Sequence, residues 1–511
     1  MPGTLDGIRI VDLTTVILGP WASQTLGDMG ADVIKIETPQ GDVTRNMGPR
    51  KNPGMGAVFL STNRNKRSIV LDLRTREGKD ALLKIVDTAD VFMHNMRPKV
   101  AKKLELSFER FTANNPKLIY CAAYGFRADG PRADDPAYDD IIQAASGIAS
   151  LQQVVSDQPR FVPTIVADKT TSYNLLAAVL AALVCRERNG KGQSIEVPMF
   201  ESLVDNVMIE HLYGAAFEPR EGQMGYARLL NTGRRPYATK DGFLAVLPYS
   251  DENWRRMFEI AGQPGLKDDP RFSNQSARVD NAQEVYDWLG EIIATRTTAE
   301  WQLALNEAAI PVTAVNSLED LLDDKQLKAT GFWRLENHPS EGQIRMTDPP
   351  IRFKQNPSTI RKMQPQLGQH SREILVEAGL VPGVLLRNKY LEFICKNVFV
   401  KVENTENSYF KNLSKNIFEF HIAHNEGNYF CTNDQLKEIE DNNQIAIYYC
   451  DHEGNLNDQN NPNGSIKNIA GVFNKEKNVL GMMPHPERMI DQSLSGEDGA
   501  IFFKNLINNI K

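Results

Sequence analysis

Apolar and polar residues in the first half of the chain alternate in two patterns, one typical of buried strands and the other of helices. Short, mostly apolar runs predict strands at residues 8–13, 31–37, 68–73, 89–93 and 118–123. Between the first two runs we expect a helix that Gly19-Pro20 opens and Gly30 ends, and Thr75 should cap a later helix. Strands that alternate with helices predict a parallel sheet covered on both faces, an α/β fold with a Rossmann-like rhythm.

The pattern changes between residues 226 and 311. It predicts a strand at 243–247, helices over 252–261 and 281–294, and a further helix capped by Thr298. We therefore expect a large α/β domain built from residues 1–225 and 312–380, and a smaller α+β domain formed by residues 226–311.

The turn after the first strand bears on cofactor binding. Residues 14–20 (TTVILGP) lack the GxGxxG fingerprint with which Rossmann domains bind a dinucleotide. The alternation of strands and helices is like that of a Rossmann fold, but a bound dinucleotide is not expected.

The composition changes abruptly at Glu377-Ala378-Gly379-Leu380. The preceding part is rich in Ala, Arg, Asp and Pro, whereas Asn and Lys dominate afterwards and only Arg387 and Arg488 remain. So sharp a change is not expected within one domain. We interpret residues 381–511 as a segment of separate origin.

The bulk composition excludes several classes of protein. The 511 residues carry a net charge of −7, which argues against nucleic-acid binding. The five cysteines include no CxxC pair, so neither a disulfide framework nor a zinc site is indicated. No basic and apolar leader opens the sequence, and the longest apolar run, 175–184, is shorter than the ~18 residues of a membrane span. We expect a cytoplasmic protein with no metal ion, no membrane partner and no nucleic-acid partner.

Asp168 lies in the segment 166–171 (VADKTT), which precedes the apolar run 175–184. An isolated aspartate in such a place is most simply an N-cap, whose carboxylate accepts hydrogen bonds from the first turn of the helix. The residues around Asp168 do not by themselves indicate catalysis.

Several segments, taken together and in order, resemble the class III CoA-transferases, the family of the formyl-CoA:oxalate and carnitine CoA-transferases. They are residues 5–12 (LDGIRIVD) with Gly19-Pro20, 30–37 (GADVIKIE), 65–73 (NKRSIVLDL), Tyr138-Asp139 with 143–147 (QAASG), and 190–193 (GKGQ). The resemblance covers residues 1–380 and places the family's nucleophilic aspartate on Asp168.

This resemblance implies transfer of CoA from an acyl-CoA to a small carboxylic acid. Asp168 would attack the thioester carbonyl to give a mixed anhydride, and the released CoA thiolate would then form an aspartyl-CoA thioester. The N-terminus of a helix would stabilise the carboxylate and offer N–H groups to developing negative charge. The resemblance further implies an interlocked homodimer without a permanently bound cofactor, since the CoA thioester is a substrate.

The phosphates of CoA require cations. The candidates are Arg64, Lys66, Arg67, Arg74, Arg97, Lys102 and Lys103. The resemblance implies that the adenine end lies near Leu71 and Arg74 and a phosphate near Lys103. It also implies that the backbone from Val16 to Leu18 borders the thioester.

Departures from the family's pattern narrow the activity. Ile17 stands where the formyl-CoA:oxalate members have glutamine, and residues 225–235 lack the glycine run of some members. Both differences argue against oxalate as acceptor. Tyr138, a further candidate for substrate contact, stands where the racemases of the superfamily have a catalytic histidine. A 2-methylacyl-CoA racemase needs an acid and a base on opposite faces of the alpha carbon, so the absence of this histidine argues against racemisation, which is kept as the alternative prediction.

Residues 385–389, 393–398 and 422–429 resemble the C-terminal half of the glutaminase subunit of phosphoribosylformylglycinamidine synthase. The likeness ends in GMMPHPER, whose His485 and Glu487 match two members of a Cys-His-Glu triad. No cysteine lies in the glycine-flanked turn that the family uses, so we expect a truncated amidotransferase-like segment, inactive as a glutaminase. The alternative is a non-catalytic interaction module in purine synthesis.

Half of a parallel-sheet amidotransferase domain would leave open strand edges and exposed apolar surface. Residues 445–449 would then favour aggregation unless they were covered. We therefore expect residues 381–511 to form a partly ordered passenger.

Overall fold

The computed structural model describes residues 2–380, 383–389, 392–403, 407, 409–475, 477–494 and 496–510. The chain separates into two compact units. Residues 1–36, 40–67 and 89–366 form the first, and residues 37–39, 68–88 and 367–511 form the second. The predicted start of the tail at residue 381 lies outside the described residues.

One sheet of six strands organises the α/β part. Its strands are β1 (Arg9–Leu13), β2 (Asp32–Glu37), β3 (Lys66–Val70), β4 (Val91–His94), β5 (Ile119–Tyr124) and β6 (Ser194–Pro198). The order is β3-β2-β1-β4-β5-β6, and Val11 of β1 pairs in parallel with Ile34 and with Phe92. This is a Rossmann strand order, so the predicted α/β fold with a parallel sheet is confirmed. The order reverses between β1 and β4, and sheets of this kind bind ligands beyond the carboxyl ends of the strands at that point.

Helices of the first unit lie between and after these strands in the chain. They are α1 (Leu18–Asp28), α2 (Ala57–Thr62), α4 (Pro98–Lys103), α5 (Phe108–Thr112), α6 (Asp139–Ala145), α7 (Ile148–Leu151), α8 (Val166–Asn189) and α9 (Met199–His211), while α3 (Arg76–Asp87) belongs to the second unit. Helices α1 and α8 pack against each other through a core that includes Leu26, Leu175 and Val179. Thr75 caps α3, as predicted, and its hydroxyl accepts from the N–H of Gly78.

Two ion pairs lie fully buried beside the central strands. Lys66 Nζ lies 3.1 Å from a carboxylate oxygen of Asp12, and Lys35 Nζ lies 3.0 Å from Asp42. Burial opposes the charge of Asp12, but the ammonium groups of Lys66 and Lys35 outweigh it and hold the pKa of that carboxyl at about 2. Lys66 is therefore part of the core and is wrong as a candidate contact for CoA.

The smaller domain has a three-stranded antiparallel sheet and four helices. They are β7 (Tyr237–Ala238), β8 (Phe243–Val246) and β9 (Val312–Ala314), with α10 (Asp251–Ile260), α11 (Gln275–Asp280), α12 (Ala282–Ile293) and α13 (Thr298–Glu307). Because β9 pairs with β8, this sheet extends beyond the expected boundary at residue 311. Thr297, and not Thr298, caps α13, because the Thr297 hydroxyl and the Glu300 carboxylate form a capping box. Helices α14 (Asp320–Asp323) and α15 (Lys325–Ala329) and the hairpin of β10 (Trp333–His338) and β11 (Gly342–Thr347) follow.

The tail folds in the second unit around an antiparallel sheet. After α16 (Ser371–Glu377) come β12 (Val384–Leu386), β13 (Ile394–Val402), β14 (Ile417–His424), β15 (Asn428–Phe430), α17 (Asn433–Asp441), β16 (Ile445–Cys450), β17 (Ile469–Phe473), β18 (Leu480–Met482) and α18 (Asp498–Ile510). The larger sheet has the order β14-β13-β16-β17-β18, and its pairings are antiparallel. A half parallel sheet was therefore the wrong expectation for this segment.

The described part of the tail has its own apolar core. Phe418, Phe420, Tyr449 and Phe502 are buried together in it. Strand β16 lies between β13 and β17, so residues 445–449 are covered and do not form an open edge. The expectation of a partly ordered passenger with an exposed apolar strand is wrong for these residues.

Candidate active site

A cavity of about 260 Å³ lies where the order of the six-stranded sheet reverses. The segments that follow β1 and β4 and the first turn of α8 line it. Of the predicted site residues, the lining includes Val16, Leu18, Arg97, Tyr138 and Asp168. The structure therefore brings together segments that are far apart in the sequence, at the place where a doubly wound sheet binds its ligand.

Asp168 is the third residue of α8, which begins at Val166. Ile165 occupies the N-cap position, so the interpretation of Asp168 as an N-cap is wrong. The half-buried carboxylate of Asp168 lines the cavity and accepts no hydrogen bond from a described residue. Its oxygens are thus free to act on a bound molecule.

Asp139, the first residue of α6, supplies the cap that α8 lacks. Its Oδ1 accepts from the backbone N–H of Ala167 at 2.8 Å and of Asp168 at 3.1 Å. Gln143 Nε2 donates to the other oxygen of Asp139 at 2.6 Å. These first-turn N–H groups are already bonded, so the expectation that the N-terminus of this helix offers them to the substrate is wrong.

Asp139 also changes the acidity of Asp168, the candidate nucleophile. Burial raises the pKa of the Asp168 carboxyl, and the charge of Asp139 raises it further, to about 7. The ionised and protonated forms of Asp168 are therefore both populated near neutral pH. A carboxyl whose pKa is shifted in this way within a cleft is a candidate for catalysis.

Val16 has a backbone conformation that is rare for a β-branched residue, with a φ of 71°. Its N–H points to Asp42 Oδ1 at 3.4 Å. The preceding Thr15 is held on both sides, since its N–H donates to Asn95 Oδ1 and its carbonyl accepts from Asn95 Nδ2. Lys35 Nζ donates to the carbonyl of Thr14 at 3.0 Å. The buried ion pairs thus hold the strained turn that borders the cavity.

Helix α1 presents its N-terminus to the cavity. Ile17 occupies its N-cap position without a side-chain cap, and the N–H groups of Leu18 and Gly19 have no partner among the described residues. Ser172, one turn beyond Asp168, donates to the carbonyl of Leu18 at 2.5 Å. A Cβ at Gly19 would lie 2.2 Å from the side chain of Thr14, so only glycine fits there. The turn is therefore fixed to the helix that carries Asp168.

The predicted contacts to CoA are in different environments. Arg64 is buried against Asp28 and Arg67 is paired with Asp32, so both are wrong as candidates for a phosphate contact. Arg97 precedes α4 and donates to the carbonyl of Asp134. Ile17 is half-buried beside the cavity without lining it, while Lys103 and its neighbour Lys102 are exposed at the end of α4. Leu71 and Arg74 belong to the second unit, where Leu71 is buried and Arg74 is exposed and paired with Asp72.

The smaller domain has a basic cavity of about 700 Å³ that the sequence did not reveal. Arg228, Arg234 and Arg235 line it, and its lining includes no carboxylate. Burial opposes the charge of Arg228, but hydrogen bonds to the phenols of Tyr286 and Tyr226 outweigh it and raise its pKa. Arg234 and Arg235 are exposed and have no ion pair among the described residues.

The degenerate amidotransferase pair is formed. His485 Nδ1 lies 2.7 Å from a carboxylate oxygen of Glu487. No cysteine sulfur contacts this histidine within the described part of the tail, and Cys395 contacts His421 instead. The predicted base and its predicted orienting carboxylate are thus paired, and no cysteine sulfur is bonded to this histidine among the described residues.

Two residues of the cavity region are not among the predicted site residues. Asp139 was part of a matched motif, but its distance of almost thirty residues from α8 gave no sign that it caps this helix. Ser172 reads as an ordinary polar residue of a helix.

Within the described chain, no helix is long and apolar enough to cross a membrane.

Comparison with known proteins assigns the two parts to different families. The model of the CoA-transferase family III matches residues 5–371, and that of the CobB/CobQ-like glutamine amidotransferase domain matches residues 372–496. The chain is 35% identical over 392 residues to the succinate–glutarate CoA-transferase of Agrobacterium fabrum, a match that covers 73% of this chain and 95% of that one. The crystal structure of a CAIB/BAIF family protein from Brucella suis aligns with a TM-score of 0.64 and 31% identity, over 74% of this chain and all of that one.

The tail is similar to another protein. It is 78% identical over 139 residues to the phosphoribosylformylglycinamidine synthase subunit PurQ of Pelagibacter ubique. The match covers 27% of this chain and 61% of the PurQ subunit. The chain therefore spans less than two thirds of that relative.

Proposed function

Residues 5–371 make the chain a member of CoA-transferase family III, and from this premise we propose that it moves CoA from an acyl-CoA to a carboxylic acid through covalent intermediates on Asp168. The observation that carries the proposal is the free carboxylate of Asp168 in the cavity at the reversal point of the sheet. Its pKa of about 7 leaves a large ionised fraction and makes the ionised group more basic than an ordinary carboxylate.

The proposed reaction has four substitutions at carbonyl carbons. The Asp168 carboxylate attacks the thioester, and CoA thiolate leaves to give a mixed anhydride. The thiolate then attacks the aspartyl carbonyl, which releases the donor acid and forms the aspartyl-CoA thioester. The acceptor carboxylate displaces CoA thiolate from that thioester. Finally the thiolate attacks the acceptor's carbonyl, which yields the new acyl-CoA and restores Asp168.

Each step places negative charge on a carbonyl oxygen. The N–H groups of Leu18 and Gly19 support the proposal, because they are unbonded at the N-terminus of α1 beside the cavity. They take the role that we had expected of α8, whose first N–H groups are bonded to Asp139.

We further propose that the acceptor is a short dicarboxylic acid. The relative from Agrobacterium fabrum is named for succinate and glutarate, which are both dicarboxylic acids. The cavity with Arg228, Arg234 and Arg235 supports an acceptor with a second carboxylate, since guanidinium groups bind carboxylates in a bidentate manner.

The test is a matrix of acyl-CoA donors and carboxylic acids, in which new thioesters are detected by mass spectrometry. We expect new acyl-CoA products from dicarboxylic acids and none from the Asp168→Asn variant, with Asp157→Asn as a matched control at an exposed aspartate. Arg234→Gln and Arg235→Gln should raise the KM for glutarate by at least ~10-fold and leave that for a monocarboxylic acid unchanged. Hydrolysis of donors without any transfer would contradict the proposal.

We also propose an obligate homodimer, in keeping with the resemblance to interlocked family members. Sedimentation velocity at nanomolar concentration should show a dimer. An active monomer would contradict this part of the proposal.

A further inference from the structure

Three polar side chains form a cluster on one face of the antiparallel sheet of the tail. Strands β13 and β14 pair so that Asn397 lies opposite His421, while Cys395 lies opposite Ala423. Cys395 is thus two residues from Asn397 and on the same face, diagonal to His421. This face is the solvent side of the sheet, because Val398 and Phe420 point into the core.

The atoms of this cluster lie within bonding distance. Cys395 Sγ is 3.4 Å from His421 Nε2, and His421 Nδ1 is 3.0 Å from Asn397 Oδ1. An amide oxygen only accepts hydrogen bonds, so the proton of a neutral His421 ring must be on Nδ1. Nε2 then carries the lone pair, and it faces the thiol.

The backbone also restrains the histidine. The carbonyl of His421 accepts from the N–H of His485 at 2.8 Å, and the two residues form a β-bridge. His421 is therefore fixed both by its neighbouring strand and by the backbone of His485, whose own ring is bonded to Glu487. The order of thiol, imidazole and orienting amide is that of an activated nucleophile.

The other cysteines lack this environment. Cys121, Cys431 and Cys450 are buried, and burial raises the pKa of each thiol. Cys185 is exposed like Cys395, but among the described residues its sulfur has a hydrogen-bond contact only with the amide of Asn189, at 3.3 Å. The chain thus contains its own matched control, an exposed thiol without a base.

We propose that Cys395 is a nucleophilic thiol, activated by His421 and positioned with the help of Asn397, that is modified reversibly by low-molecular-weight disulfides. The proton of Cys395 moves to His421 Nε2. The thiolate attacks one sulfur of the disulfide, a protein mixed disulfide forms, and the old S–S bond breaks. The leaving thiolate takes the proton from His421, so one disulfide is made for each one broken.

The open face of the sheet favours this chemistry over acyl transfer. Attack on a carbonyl needs donors for an oxyanion, whereas thiol–disulfide exchange places the charge on a leaving sulfur. The cluster supplies a proton acceptor and an orienting amide, which are sufficient for exchange. The proposal is independent of the CoA-transferase reaction, because Cys395 and Asp168 belong to different units.

The test uses the full-length chain and glutathione disulfide at pH 7. Samples quenched over time are digested, and the mixed disulfides on the peptides with Cys395 and Cys185 are measured by mass spectrometry. We expect Cys395 to react at least ~10-fold faster than Cys185. His421→Gln should bring the two rates to within about twofold, and Asn397→Ala should give an intermediate rate for Cys395.

The control variant is His452→Gln, which changes an exposed histidine of the same unit that contacts Phe399 and Glu453 but no cysteine. It should leave the rate of Cys395 unchanged. The secondary structure of each variant is checked by circular dichroism, and Cys395→Ser should keep transferase activity. Equal rates for Cys395 and Cys185 in the unaltered chain would overturn the proposal, as would an unchanged rate in a folded His421→Gln variant.

Discussion

Replacement of Asp168 by asparagine should abolish transfer and yet stabilise the folded chain at alkaline pH. The amide cannot act as a nucleophile, so kcat should fall by at least ~10³-fold. The stability effect has a separate cause. The asparagine side chain would never carry the charge that the half-buried cavity and Asp139 oppose in the native residue.

The size of this effect follows from the pKa of Asp168. A rise from the ordinary value of 3.8 to about 7 corresponds to a free-energy cost of about 4 kcal/mol. This is the cost of holding the ionised carboxylate in the folded chain rather than in the unfolded chain. The carboxylate keeps some contact with solvent, which screens its charge, so we expect a measurable gain of about 1–2 kcal/mol.

The sign of the pH dependence is fixed by the same shift. An acid with a raised pKa in the folded state destabilises the fold above the pKa of the same group in the unfolded chain, because the unfolded chain loses that proton more readily. The cost of Asp168 is therefore absent below about pH 4, grows as the pH rises towards 7, and is complete above that. The gain from Asp168→Asn should follow the same course.

The assay is thermal unfolding of the unaltered chain and of Asp168→Asn at several pH values, with the exposed Asp157→Asn as control. The apparent midpoint of Asp168→Asn should exceed that of the unaltered chain by about 2–5 °C at pH 8 and match it at the acid end of the range. A gain that does not change with pH, or a loss at pH 8, would refute the reasoning about the cavity.

Three further changes test other parts of the structure. Asp139→Asn keeps an oxygen for the cap of α8 but removes the charge, so the rise of kcat with pH, which reports ionisation of Asp168, should move to lower pH; a profile at the same pH would contradict the stated cause. Lys66→Met leaves the carboxylate of Asp12 buried without its partner and should cost about 3–5 kcal/mol in urea unfolding, and a cost below about 1 kcal/mol would show that the pair is not essential. A chain that ends at Leu380 should keep transferase activity, and the full chain should not hydrolyse glutamine in a coupled glutamate assay. Loss of folding or of transfer on truncation would show that the tail is a required structural element, and glutamate release by the full chain would show that one of its cysteines acts as a nucleophile.

Much of the α/β fold follows from the apolar pattern. The five predicted strands of the sheet were found within about three residues of their places, because strands buried on both faces form short apolar runs. Strand β3 begins earlier than predicted, at Lys66. Its first two residues are charged and read as a loop, and only their partners, the buried Asp12 and the half-buried Asp32, show why they belong to the strand.

For the tail, in contrast, the expected fold was wrong. The expectation of a parallel sheet came from a family resemblance and not from the residues. The segment IFEFHIAH of β14 alternates between buried and half-exposed positions, which is typical of an antiparallel strand with one solvent face. This alternation predicts a strand of an antiparallel sheet with one solvent face, as observed.

The candidate site was predictable only in part. Motifs in a known order led to Asp168, but the partner that sets its acidity, Asp139, comes from another helix, and nothing in the spacing connects the two residues. The same holds for His421, which no motif includes and which only strand pairing brings to Cys395. Long-range contacts of this kind depend on the packing of the fold.

The most direct test of the central claim is to trap the covalent intermediate. The full-length chain is incubated with succinyl-CoA, treated with hydroxylamine or borohydride, digested and analysed by mass spectrometry. The proposal predicts a hydroxamate or a reduced alcohol on the peptide that contains Asp168, and no modification of Asp168→Asn. Transfer of CoA to glutarate without any trapped product on this peptide, or a trapped product at another carboxylate, would contradict it.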